Sequence, residues 1–282
     1  MINQNFYKNS GVMVLSDLDG SFLAPITYSF DDALRGLNFL RARNIEPIFV
    51  SSKTASEISA IQRKIKSRGP LICENGGAVV ETRPNENSML KCFGQPRATW
   101  MPQLIKLRQE LGLNFQGFSD WSVSELRDRT GLSELSALAA KNRNFSEPII
   151  WEDSDAKLDY FKEELERINL VTIEGGQFLS IQSNYDKGRA TRWLRSHNGN
   201  TDALIIALGD GPNDQTMLSE ADIAVVIKSP KSYSLKVEGP LRVIHTDNTG
   251  PQGWTEGIIE AFFTLNCLSA VSLKKGRCNI VF

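Results

Sequence analysis

Short apolar runs alternate with stretches of helical spacing along the first third of the chain. Val12-Met13-Val14-Leu15 is too short for a helix and β-branched enough for a buried strand. Over 31–43, Leu34, Leu37 and Leu40 recur at helical spacing. Residues 45–50 read as a second strand, with Pro47 suited to an edge or an irregular start. Thr54 and Glu57 then have the spacing of a capping box, ahead of a helix whose face carries Ile58, Ile61 and Ile65. Leu71-Ile72-Cys73 reads as a third strand, and 78–81 as a continuation of the sheet after a Gly-Gly turn. This β-α-β-α-β order predicts a parallel sheet with helices on its faces.

From 82 to 184 the rhythm loosens. Helical stretches at 100–111 and 157–168 mix with strand candidates at 149–152, 171–174 and 178–182, as in a separate α+β unit. The α/β order then returns: a helix over 186–196, a strand over 203–208, a helix over 214–220, a strand over 223–227 and a closing helix over 254–265. The expected fold class is α/β. A doubly wound parallel-sheet (Rossmann-like) core comes from 1–82 and 185–282, and an α+β domain is inserted over 83–184. The tail over 266–282, with Lys274-Lys275-Gly276-Arg277, reads as a solvated terminus.

Composition narrows the function classes. A length of 282 residues suits about two domains. Lys plus Arg is 32 against 33 Asp plus Glu, a net charge of -1, which argues against a nucleic-acid or membrane-surface partner. No apolar run approaches the ~18 residues of a membrane span. Residues 1–11 lack the apolar stretch of a signal peptide, so a cytoplasmic location is expected. The four cysteines form no C-x-x-C pair, which leaves no structural zinc spacing, and disulfides are not expected in that compartment. Cys73 is expected in the core and Trp151 as a core aromatic or part of a sugar platform. Two histidines leave little for a His-rich metal site, and no G-x-S-x-G elbow is present.

Active sites of open parallel sheets lie beyond the carboxyl ends of the strands. Ser16-Asp17-Leu18-Asp19-Gly20-Ser21, Ser51-Ser52-Lys53-Thr54, Glu74-Asn75-Gly76-Gly77 and Gly209-Asp210-Gly211-Pro212-Asn213-Asp214 follow the candidate strands, and Asp186-Lys187-Gly188 opens a helix. Asp17, Asp19, Asp210 and Asp214 put four carboxylates on one rim, where they repel one another and resist ionisation unless a cation joins them. A hard divalent ion such as Mg²⁺ suits oxygen donors and commonly accompanies a phosphate substrate. Neither acidic loop is a calcium loop, because the twelfth positions are Tyr28 and Ala221 rather than Glu. The Gly209-x-Gly211 pair lacks the third glycine of a dinucleotide fingerprint.

These residues resemble the haloacid dehalogenase superfamily of aspartate-nucleophile phosphatases. Asp17-Leu18-Asp19-Gly20-Ser21 is similar to its first motif, Ser52 to the second, Lys187-Gly188 to the third and Gly209–Asp214 to the fourth. An insertion between the second and third motifs implies a large α/β cap. The segments Ser51-Ser52-Lys53-Thr54, Glu74-Asn75-Gly76-Gly77, Arg143 to Pro148 and Gly175-Gly176-Gln177-Phe178 further resemble the mannosyl-3-phosphoglycerate phosphatase family, which often carries Arg and His where this chain has Gln177 and Ser180.

The resemblance implies Asp17 as nucleophile and Asp19 as acid–base residue. Ser52, or Ser51 beside it, and Lys187 would hold phosphoryl oxygens. Mg²⁺ would be held by Asp17, Asp19 (through its main chain) and Asp210, with Asp214 in support. Lys53 and Asn75 are candidates for substrate contact, and Arg143 for gripping a substrate carboxylate or pairing with Glu147. The implied substrate is a small phosphorylated sugar or sugar acid, with a glycosyl-3-phosphoglycerate first. A broader sugar-phosphate phosphatase, a phosphomutase and a non-catalytic phosphate-binding module remain as alternatives, and the oligomeric state is open.

Overall fold

The computed structural model describes residues 11–82, 87–197, 202–231 and 234–274. Its first strand, β1 (Val12–Ser16), is buried on both faces. Val12 and Val14 join an apolar cluster with Leu37, Leu40, Ile58 and Trp254, while Met13 and Leu15 join Ala190, Leu194 and Met217 on the other side. This two-sided burial follows from the period-2 alternation of a strand between two helical layers.

β1 is followed by α1 (Leu34–Arg41), β2 (Ile48–Val50), α2 (Ala55–Lys64), β3 (Pro70–Cys73), β4 (Ala78–Thr82) and β5 (Asn87–Cys92). Thr54 and Glu57 form the expected reciprocal cap of α2. Pro47 lies outside β2, since proline cannot donate to the ladder.

The inserted stretch holds α3 (Arg97–Glu110), β6 (Phe115–Gly117), α4 (Val123–Thr130), α5 (Glu134–Lys141), β7 (Ser146–Trp151), α6 (Asp155–Arg167), β8 (Leu170–Gly175) and β9 (Phe178–Ser183). Then come α7 (Lys187–His197), β10 (Leu204–Gly209), α8 (Gln215–Ser219), β11 (Ile223–Lys228), β12 (Arg242–Thr249) and α9 (Gly250–Lys274).

The large sheet has the order β12-β11-β10-β1-β2-β3-β4-β5, parallel from β12 to β3, with β4 and β5 added antiparallel. A second, antiparallel sheet has the order β6-β7-β9-β8. One of its faces packs on α3 and α6 through Ile149, Ile181, Trp100 and Phe161; the other presents Ile150 and Phe178 to Phe118 and Trp121 of the loop after β6 and to α4 and α5.

Three expectations shift. The large sheet runs beyond residue 82, because β5 pairs with β4. β12 is a further strand, in a segment whose polar side chains hide the alternation. The closing helix does not stop at 265 but continues to Lys274, so only 275–282 of the expected tail fall outside the described residues.

Candidate active site

Six parallel strands end on one rim, and the chain turns there into the loops that carry the charged residues. Asp17 directly follows β1, and its N–H donates to the Leu208 carbonyl of β10 at 2.9 Å, so the two central acidic loops are tied side by side. Lys187, the first residue of α7, is fully buried. Its Nζ lies 2.6 Å from Asp17 Oδ1 and 2.5 Å from Asp214 Oδ1. Asp214 also accepts the N–H groups of Asp210 and Gly211 at 3.0 Å each through Oδ2, which folds the 210–214 loop onto its own last carboxylate.

Asp17, Asp210 and Asp214 each bring a carboxylate oxygen within 4.8 Å of the others. Burial, then the Asp214 charge, push Asp17 well above the ordinary carboxylate range, against the pull of Lys187. Asp210 rises to about 7 by burial and by Asp214, with the Ser21 hydroxyl opposing the shift. Burial works to lower the Lys187 ammonium, but Asp17 and Asp214 outweigh it and hold the amine above its usual value. One lysine does not neutralise three gathered carboxylates. The donor set therefore fits a hard divalent cation, which binds the ionised carboxylates and removes their conflict.

Space is kept for Asp210 by Gly20. Its φ is +79°, and a Cβ there would stand 2.5 Å from Asp210 Oδ2. Ser21 Oγ donates to Asp210 Oδ1 at 3.2 Å.

Asp19 points differently. Lys53 Nζ lies 2.9 Å from its Oδ2, and the same ammonium lies 5.1 Å from the Tyr28 ring centre. Burial alone would lower the Lys53 amine; Asp19 and Glu57 raise it above its usual value. Asp19 Oδ1 is buried and has no hydrogen-bond partner among the described residues. A carboxylate held at one oxygen and free at the other suits a group that handles a proton.

The structure thus brings together Asp17, Lys187, Asp210 and Asp214, and places Lys53 on Asp19. Ser51 is fully buried and its Oγ accepts the Lys53 N–H at 3.3 Å, while Ser52 is half-buried. Asn75 donates to Gln182 Oε1 at 3.3 Å and accepts from Asn213 Nδ2 at 3.2 Å. These three amides, Lys187 and the edge of β8 line a cavity of about 530 Å³ between the two sheets.

Arg143 does not fill the expected place. It is 8% exposed, and its guanidinium is taken up by Ser146 Oγ, the carbonyls of Ala140 and Ser52, and Glu74 at 3.8 Å. Glu147 pairs with Arg97 instead. An arginine whose donors are spent in the interior has no free fork for a ligand. Trp151 stacks on Phe115 and Phe161, so it is a packing residue of the second sheet, and Cys73 is buried with its thiol pushed up by that burial.

Sequence reasoning missed Ser229, whose side chain bonds Asp210, although it follows β11 and the same rim rule reaches it. It also missed Gln182, for which the sequence carries no local signal.

The chain matches the haloacid dehalogenase-like hydrolase family over residues 14–236. Solved structures of similar fold include one from Thermotoga maritima at 21% identity, covering 88% of this chain and 96% of that one with a TM-score of 0.60. A HAD/COF-like hydrolase from Plasmodium vivax is 15% identical, covering 93% and 99% with a TM-score of 0.66. The sucrose-phosphatase of Synechocystis, solved with sucrose and phosphate, is 16% identical, covering 91% and 98% with a TM-score of 0.57. Among the described residues no helix is long and apolar enough to cross a membrane. With the family match spanning well over half of the sequence, and including the buried carboxylate–lysine centre, the protein belongs to the haloacid dehalogenase-like hydrolases.

Proposed function

We propose that the protein is a Mg²⁺-dependent phosphatase of a small phosphorylated sugar or sugar acid, acting through an aspartyl-phosphate on Asp17. The observation that carries this reading is the buried Asp17 carboxylate, 2.6 Å from Lys187 and grouped with Asp210 and Asp214. Such a centre supplies a nucleophile and positive charge at one point, which is what phosphoryl transfer needs. Asp17, Asp210 and Asp214 would hold Mg²⁺, with the Asp19 carbonyl as a further oxygen. The cation's chemistry is to offset charge on the phosphoryl oxygens.

The remaining work falls to the chain's own groups. Asp17 Oδ attacks phosphorus as the bond to the leaving oxygen breaks. Asp19 gives its proton to that oxygen, then takes one from the water that cleaves the aspartyl-phosphate and releases inorganic phosphate. Lys187 favours the ionised form of Asp17 and holds it in line, and the Ser51-Ser52 loop offers a hydroxyl for a phosphoryl oxygen. The second sheet covers the centre and limits water.

The motif set around Glu74-Asn75-Gly76-Gly77 favours a glycosyl-3-phosphoglycerate, mannosyl-3-phosphoglycerate first. A second reading, a broader sugar-phosphate phosphatase, is favoured by Arg143: its inward engagement leaves that arginine without a free fork for a glycerate carboxylate. The similarity to the sucrose-phosphatase fits either reading.

The test is phosphate release with Mg²⁺ from mannosyl- and glucosyl-3-phosphoglycerate and from a panel of simple sugar phosphates, with Asp17→Asn as control. Fast release from one glycosyl-3-phosphoglycerate, lost in the variant, establishes the first reading. Release from simple sugar phosphates alone selects the second. No release from any, or trapped phosphoenzyme in Asp17→Asn, overturns the assignment.

A further inference from the structure

Glu74 belongs to no step of the proposed chemistry, yet its carboxylate is fully engaged. It is 1% exposed. Its Oε1 accepts the Asn144 N–H at 2.9 Å, and its Oε2 accepts the N–H groups of Phe145 and Ser146 at 2.9 Å each and the Ser146 hydroxyl at 2.8 Å. Arg143 adds a cation at 3.8 Å. Three consecutive main-chain donors at the start of β7, in the second sheet, thus converge on one carboxylate of the first. Charge-assisted bonds of this kind are about twice as strong as neutral ones.

The backbone at this point is unusual. Glu74 and Asn75 both lie in the left-handed region, with φ of 49° and 58°. Asparagine visits that region readily, whereas a glutamate there costs roughly 1–2 kcal/mol, so the strain falls mainly on Glu74. Such strain persists only where the surroundings over-determine it. Here the Glu74 N–H donates to the Lys53 carbonyl and the Asn75 N–H to the Ser51 carbonyl, both at 2.9 Å, while the Glu74 side chain is held from the opposite side by β7.

The result of that double left-handed turn is the placement of the next side chain. Asn75 is 3% exposed and stands between Gln182 of the second sheet and Asn213, the neighbour of Asp214. Its amide therefore meets the cavity at the point where the two sheets and the acidic loop come together.

We infer that Glu74 is a positioning residue: by clamping the start of β7 onto the large sheet it fixes the Asn75 amide, and with it one wall of the cavity beside Lys187, where a bulky leaving group would lie. Asp17 and Asp210 are held through the Leu208 carbonyl, Ser21 and Asp214, by bonds that do not pass through Glu74. The consequence is selective. Loss of the clamp disturbs the recognition of a bulky leaving group more than the attack on phosphorus.

The substrate arm of the test rests on the phosphatase reading above. Glu74→Gln keeps the shape of the side chain but replaces an acceptor with a donor that faces N–H groups. Its loss of kcat/KM on the sugar phosphate the parent hydrolyses best should exceed its loss on p-nitrophenyl phosphate by about tenfold or more, since a full 1 Å misplacement can cost ~10²-fold. Ser146→Ala, which deletes one of the donors and is the milder change, should move both values in the same direction. The double variant Glu74→Gln with Asn75→Ala should fall within about twofold of Asn75→Ala alone on the sugar phosphate, because coupled residues are not additive.

Equal losses on both substrates, or losses in the double variant that multiply, would mean a merely structural ion pair and overturn the inference. Amide hydrogen exchange gives a readout without turnover. In Glu74→Gln, exchange should quicken in β7 and β9 and stay at the parent's rate in β1 and β10; a uniform increase, or none, also overturns it. A parent enzyme inactive on every phosphate ester would refute the phosphatase reading and leave the exchange result to decide the role of Glu74.

Discussion

Replacing Lys187 with methionine tests the electrostatic centre directly. The ammonium is fully buried between Asp17, at 2.6 Å, and Asp214, at 2.5 Å. Methionine fills much of the volume, so the change isolates the charge. Removing one member of a buried ionic cluster strands the others, at a cost of about 3–5 kcal/mol. That is a large share of the ~5–15 kcal/mol by which a domain is stable.

The pH dependence follows from the directions of the shifts. Lys187 is a base held above its ordinary value, so in the parent its contribution is fully present below ~10.5 and is lost only as pH rises through the higher folded value. In the variant the lowering influence of Lys187 on Asp17 disappears, and Asp17, already raised by burial and by Asp214, rises further. The folded variant then holds a proton that an unfolded aspartate, near ~3.9, does not hold at neutral pH. Its deficit is greatest at alkaline pH and shrinks as pH falls into the range where Asp17 takes up that proton. Urea unfolding of parent and variant at pH 8.5 and at pH 5.5, both metal-free, should show a gap of about 3–5 kcal/mol that narrows by at least ~1 kcal/mol at the lower pH. A gap below ~1 kcal/mol at pH 8.5, or one independent of pH, would refute the argument that a desolvated cation holds the carboxylates together.

Other expectations are more local. Asp210, raised to about 7, holds a proton that would compete with the proposed Mg²⁺, so the apparent Mg²⁺ affinity should weaken below that pH, by up to about tenfold per unit for one proton displaced; calorimetry in two buffers of different ionisation heat would show the proton release, and a flat affinity between pH 6 and 8 would contradict it. Gly20→Ala should weaken Mg²⁺ binding and cost about 1 kcal/mol of stability, because the new Cβ meets Asp210 Oδ2 at 2.5 Å and φ is +79°; an unchanged binding isotherm would show that Asp210 is not held in place by that contact. Arg143→Met should destabilise the fold by roughly 3–5 kcal/mol in thermal or urea unfolding, having broken an interior ion pair; a stable protein with only a raised KM would restore Arg143 as a substrate reader.

The carboxylate–lysine cluster is well represented in the primary structure because each of its members sits at the end of a regular element. β1 alternates between two apolar layers, and Asp17 is the residue that follows it. Asp210 and Asp214 close the loop after β10, and Lys187 opens α7. Local pattern located these elements, and the geometry of parallel sheets then brought their ends together. Elements with weak patterns were not visible. β5 mixes polar and apolar residues at the sheet edge, β6 has three residues, and α4 carries a single fully buried side chain, Leu126. Their conformation is decided by the partners they pack against, which a local reading does not contain.

Arg143 shows the same limit at the level of one side chain. Along the chain its nearest carboxylate is Glu147, but Glu147 is drawn to Arg97, and Arg143 meets Glu74 and the Ser52 carbonyl from the other sheet. The amino-acid sequence by itself determined the alternation of strand and helix through β1–β3 and β10–β11 and the residues of the acidic centre, because these depend on periodicity and on which residues follow a buried strand. Only the tertiary structure decided which charges pair, where Asn75 stands and which faces enclose the cavity. Those choices depend on desolvation and distance between residues far apart along the chain, and neither quantity exists until the two sheets are packed.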